Sequence, residues 1–173
     1  MKILVLGLGN DLYGDDGVGL EVVRVLEQKR SAAGLAPGAA GAVDFVPCAL
    51  SGLALLEVVV GYDALVIVDT IQRSNPVVGR IQILDLEDVR DFPGPSPHYI
   101  SVPQTLALGR SLGLKMPQRV KIVAVEAKNL YCLGEGLSEA MRRRLPAIIA
   151  AANAVLEATA AAREFRKPLT EIS

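Results

Sequence analysis

Cysteine is scarce in these 173 residues, and the two present, Cys48 and Cys132, stand far apart and outside any Cys-x-x-Cys spacing. That excludes a disulfide scaffold and suits a reducing compartment, so the cytoplasm is the expected location. Charge of one sign is lacking as well: 18 basic against 19 acidic residues leave a net charge of -1. The balance indicates neither a polyanion-binding surface nor a disordered chain, and nucleic acid is not an expected partner. Long hydrophobic runs are missing too. The stretch "LLEVVVGYDALVIVDTI" is broken by Glu57, Gly61 and Asp63, short of the roughly 18 residues that cross a bilayer, so no membrane association is expected. At the N-terminus, "MKILVLGLGN" ends its apolar run in Gly-Asn rather than in a small-residue cleavage site, and reads as a first strand, not a signal peptide. Neither repeat nor linker interrupts the chain, and histidine occurs once, at His98.

What is present is apolar material, 51% of residues against 21% charged, enough for one domain of this size to bury roughly two-thirds of its unfolded surface. Residues 1–173 are expected to form that single domain, with a frayed tail from about 164 to 173. Short β-branched runs alternate with stretches of helical spacing, which predicts an α/β domain with a largely parallel sheet. The strands are read at Lys2 to Gly7, Val43 to Val46, Ala64 to Asp69, Gly79 to Leu86 and Arg119 to Ala127. The fourth, with Arg80, Gln82 and Asp85 alternating against Ile81, Ile83 and Leu84, predicts a half-exposed and antiparallel edge. Helices are predicted after Asp16, with Val18, Val22, Val25 and Leu26 on one stripe; from a capping Ser51 to Gly61; from Pro103 to Leu112; and from Ser138 to about Ala162.

The glycine-rich stretch "GLGNDLYGDDGVGL", Gly7 to Leu20, sits between the first strand and the first helix, where a dinucleotide would be held. A pyrophosphate there needs Gly-x-Gly-x-x-Gly and the amides of a helix start. Here Gly7 and Gly9 are followed by Asn10, Asp11 and Leu12. The third glycine is absent, and Asp11, Asp15 and Asp16 would repel a phosphate. Nor does the second strand end in an acidic residue for a ribose. The loop is better suited to a cation.

Ligands of an open parallel sheet bind beyond the carboxyl ends of the strands, where strand order reverses. If the order begins 2-1-3, the loops after strands one and three flank that crevice, Asp16 in the first and Asp69 opening the second. His98, in "GPSPHYISVPQ" just before the third helix, is placed to join them. Two carboxylates and an imidazole suit zinc, nickel or another borderline divalent ion, whose bound water or substrate would be polarised. Each residue also has a plainer reading. Asp16 is a helix-start charge, Asp15 the better cap, Asp69 a turn former and His98 a surface histidine. Gly7, Gly9, Gly14 and Gly17 serve turns, Asn10 bonds its own loop, and Cys48 and Cys132 are small buried hydrophobes.

With these residues placed, the sequence resembles the hydrogenase maturation proteases, the endopeptidases that trim a C-terminal extension from the large subunit of nickel-iron hydrogenases. The likeness rests on "KILVLGLGNDLYGDDGVG", on the aspartate-terminated strand "GYDALVIVDTI", on "SPHYISVPQTLALGRSLG" and on "KIVAVEAKNLYCLGEGLSEAM" with its acidic Glu126. It implies a three-layer domain, a twisted sheet of five mostly parallel strands with helices on both faces. It implies a metal-dependent endopeptidase acting on the nickel-loaded large-subunit precursor. Asp16, Asp69 and His98 fall on the metal-binding and catalytic positions, with nickel supplied by the substrate and zinc as a surrogate. The lone histidine is then already committed, which leaves no Ser-His-Asp or Cys-His arrangement. The general base is unassigned, and action as a monomer is expected. Two departures stand out: "PCALSGLALL" replaces a Gly-Gly-Thr turn carried by many members, and Asp16 stands where many carry glutamate. The first leaves the identity of the hydrogenase open. Two other readings compete: a metallochaperone or scaffold that holds the nickel-loaded subunit through the same three residues without cutting it, and a nucleotide-binding α/β enzyme.

Overall fold

The structure is a computed structural model and describes residues 1–34, 42–50, 52–88, 101–128, 130, 133–134 and 136–162. Among the described residues, five strands and four α-helices follow one another: β1 (Ile3–Leu8), α1 (Val18–Ala32), β2 (Val43–Cys48), α2 (Leu55–Val59), β3 (Ala64–Ile71), β4 (Ile81–Asp85), α3 (Ser101–Ser111), β5 (Arg119–Glu126) and α4 (Glu139–Ala161). They build one sheet in the order β2-β1-β3-β5-β4. Every pairing is parallel except that of β4 with β5, so the expected α/β class, the 2-1-3 start and the antiparallel edge are all present.

β1 and β3 are buried along their whole length because helices cover both faces of the sheet, which is why both read as unbroken apolar runs. Side chains alternate between those faces. Ile3, Val5, Val66 and Val68 pack with Val22 and Leu26 of α1 and Ile148 and Leu156 of α4. Leu4, Leu6, Leu65 and Ile67 pack with Leu55 of α2 and Leu106 of α3 on the other side. Full burial of each such side chain contributes about 1.5–3 kcal/mol. α4 begins at the predicted residue, since Ser138 accepts a bond from the Met141 amide and caps it.

Three expectations need correction or qualification. β3 continues two residues past Asp69, because Thr70 and Ile71 pair with Val125 and Glu126; Asp69 lies within the strand rather than opening a loop. The second helix is shorter than read. A 3-10 turn at Gly52–Ala54 leads into only five α-helical residues, and the chain is extended again at Val60 before Gly61 turns it at φ +89°; Ser51 lies outside the described residues. In β4, Ile81 packs on the α1/α4 side and Leu84 on the α2/α3 side, as a period of two requires. Ile83, on the same side as Ile81, is 48% exposed and opens into a groove of about 520 Å³ beside the last turns of α4. His98, Cys132 and the tail at 164–173 fall outside the described residues. No helix among the described residues is long and apolar enough to cross a membrane.

Candidate active site

The glycines of the opening loop act by letting backbones touch. A β-carbon on Gly7 would lie 2.2 Å from the carbonyl oxygen of Gly19, and one on Gly19 would lie 2.3 Å from that of Leu8 and 2.5 Å from that of Val68. The first turn of α1 therefore rests directly on the ends of β1 and β3. Gly9, at φ +147°, faces the Asp16 carbonyl, which a β-carbon would meet at 1.9 Å. This seating carries Asp16 to the strand ends. Asn10 does what its plainer reading expects: its side-chain oxygen accepts the Leu12 amide at 3.0 Å.

Asp15 and Asp16 follow in a 3-10 turn, Gly14–Gly17, and do different work. Asp15 is not the cap of the helix it precedes, whose N-cap is Gly17 with no side-chain bond. Its two oxygens accept the amide and hydroxyl of Ser138 at 2.7 and 2.9 Å, tying the turn to the capping residue of α4. Asp11 stays at the surface and pairs with Arg24 at 2.9 Å.

Asp16 turns inward, and the Thr70 hydroxyl donates to its Oδ1 at 2.8 Å. Asp69 is completely buried. Its Oδ1 accepts the Thr70 amide at 2.7 Å, while Oδ2 has no hydrogen-bond partner among the described residues. Burial holds the Asp69 carboxyl well above the usual carboxylate range; the Thr70 amide opposes that rise and the neighbouring Asp16 charge adds to it. A buried carboxylate with a bare oxygen is costly unless it takes up a proton or meets a cation, and two adjacent carboxylates are a fitting oxygen donor set for a divalent ion. The structure thus brings together two of the three residues singled out from sequence. The third, His98, lies outside the described residues, among which no group of three histidine, cysteine or acidic side chains assembles.

Glu126, at the end of β5, is fully buried and accepts the Val77 amide at 2.9 Å and the Gln82 side chain at 3.2 Å. Arg73 and Arg80 stand 3.5 and 3.6 Å from it, so this acid organises the β3–β4 connection instead of joining the carboxylate pair. Thr70 was missed by sequence reading; its signal was a hydroxyl directly after Asp69 in an otherwise apolar strand. Cys48 is buried against the α2/α3 core, as a small hydrophobe should be.

The family model described as Hydrogenase maturation protease matches residues 20–155. The chain belongs to that family. As a hydrogenase maturation protease it is a hydrolase of peptide bonds. It is 31% identical over 132 residues to the hydrogenase 2 maturation protease of Escherichia coli strain K12, covering 75% of this chain and 76% of the relative. It is 28% identical over 158 residues to the hydrogenase expression/formation protein HupD of Rhizobium leguminosarum bv. viciae, covering 90% and 74%. Among solved structures, the hydrogenase maturating endopeptidase HybD from E. coli superposes with a TM-score of 0.75 at 27% identity, over 92% of this chain and 94% of that one. The HybD protease of Thermococcus kodakarensis shares the fold, with a TM-score of 0.70 at 22% identity over 90% and 99%.

Proposed function

We propose that this maturation protease removes a C-terminal extension from the nickel-loaded large-subunit precursor of a nickel-iron hydrogenase, and that Asp16, Asp69 and His98 engage the nickel the precursor carries. The observation that supports this reading is the Asp16–Asp69 pair, with one buried carboxylate oxygen left bare at the carboxyl end of the sheet. A site held ready in this way has little use for an organic ligand and a clear one for a cation. The nickel arrives with the substrate, so the two carboxylates and the imidazole recognise loaded precursor and ignore unloaded. Polarised by the ion, a water or the scissile carbonyl becomes reactive without a Ser-His-Asp arrangement. Leu12 and Leu133, 66% and 79% exposed, flank the backbone bridge between Tyr13 and Gly134. They offer an apolar ledge beside the acidic turn that suits a polypeptide substrate. We take the protease to act as a monomer in the cytoplasm.

The test is mass spectrometry of nickel-loaded and nickel-free large-subunit precursor after incubation with the purified protein. Loss of a C-terminal peptide from the loaded form alone is expected. Stable binding of the loaded form without any cut would move the reading to a metallochaperone. Equal cleavage of both forms would remove nickel from the recognition step.

A further inference from the structure

Thr70 touches both carboxylates of the site at once, through different groups. Successive residues of a strand point to opposite faces, so the Thr70 side chain leaves β3 on the side of Val66 and Val68, where α1 packs, while Asp69 leaves on the other. From there its hydroxyl donates to Asp16 Oδ1 at 2.8 Å, and its amide donates to Asp69 Oδ1 at 2.7 Å. The residue is itself buried, at the end of a strand buried along its whole length. A β-branched side chain has few χ1 wells open to it, and hydrogen bonds to a charged acceptor are about twice as strong as neutral ones. Asp16, which arrives on the 3-10 turn before α1, is thereby referenced to the strand that carries Asp69.

We propose that Thr70 is a positioning residue for the Asp16–Asp69 pair, fixing the separation and orientation of the two acids before substrate arrives. The use of that placement, engaging the precursor's metal, rests on the function proposed above; the placement itself does not. Thr70 makes no contact with substrate in this role, so its loss should act only through the displaced carboxylates, on the engagement of loaded precursor and on its cleavage together.

The test compares wild type, Thr70→Val and Thr70→Ser as full chains. Carboxyl 13C NMR follows the Asp16 and Asp69 resonances across pH, and processing of loaded precursor gives kcat and KM separately. Thr70→Val, close in shape but without the donor, should displace the Asp16 resonance and lower kcat/KM about tenfold or more. Thr70→Ser should restore both. Should Thr70→Val not fold, Thr70→Cys replaces it, since a thiol is a weak donor in the same place. An Asp16 resonance unmoved by loss of the hydroxyl overturns the proposal, as does failure of Thr70→Ser to restore it. If wild type leaves loaded precursor uncut, the protease reading fails, and the NMR comparison still decides the role of Thr70.

Discussion

Asp69 carries the sharpest conflict between folding and function in this molecule. Its carboxyl has no exposed surface and one oxygen without a partner among the described residues, so the metal-free fold favours the protonated acid, chiefly through burial and then through the charge of Asp16. Because the folded-state pKa lies above the unfolded one, the stabilisation from protonation is complete below the ordinary carboxylate range. It is lost as pH rises through the folded-state value. Thermal unfolding of metal-free protein should therefore show stability falling with rising pH in that window, and Asp69→Asn should flatten the slope and raise the melting temperature near neutrality. Processing should be abolished in the same variant, since an amide supplies no anionic ligand. An Asn variant that melts below wild type near neutral pH would count against a strained carboxylate. Asp69 could be singled out from sequence because an acid ending an apolar run is conspicuous. Thr70 and the true role of Asp15 could not, since their partners lie 54 and 123 residues away and are brought close only by the finished sheet.

Elements place these residues by backbone contact, and α1 is the clearest case. Gly7 and Gly19 face each other across the strand–helix junction with no room for a methyl group, so the helix start lies against the carbonyls of Leu8 and Val68. Gly19→Ala must lift α1 from the sheet. Overpacking of this kind costs about 1–3 kcal/mol, and the Asp16 turn rides on the same helix start, so the variant should lose stability by urea denaturation together with most processing activity. Gly134→Ala is the control, because its added methyl meets nothing within 4 Å; its stability should match wild type. Full activity in a destabilised Gly19→Ala would mean that Asp16 tolerates displacement. The glycines were legible as turn formers and as an incomplete nucleotide loop, but their close approach to a neighbouring strand is a property of the assembled layers. The same holds for α2, where a largely apolar segment gives no local sign that only Leu55–Val59 becomes α-helical.

For the whole molecule, the sheet is a partition as well as a scaffold. The alternation of apolar runs made the α/β class and both long terminal helices readable in advance, because burial on two faces leaves a strong pattern in β1 and β3, whereas the insertion of β5 between β3 and β4 has no local sign. The edge strand was read less well, since Ile81, Ile83 and Leu84 cannot share a face and the groove beside α4 leaves Ile83 uncovered. One cluster of buried residues lies between the sheet and α1 with α4, the other between the sheet and α2 with α3, and the carboxylate site crowns the line where they meet. Ile148 belongs to the first and Ile122 to the second, and both are fully buried. Trimming each to valine should cost about 0.5–1.5 kcal/mol. Because the two side chains sit on opposite faces without shared partners, the double variant should lose the sum of the single losses to within about 0.5 kcal/mol, with processing unchanged. A coupling energy well above that would mean that the strands transmit packing strain from one face to the other. A drop in processing without such coupling would mean instead that the carboxylate pair senses the depth of the core beneath it.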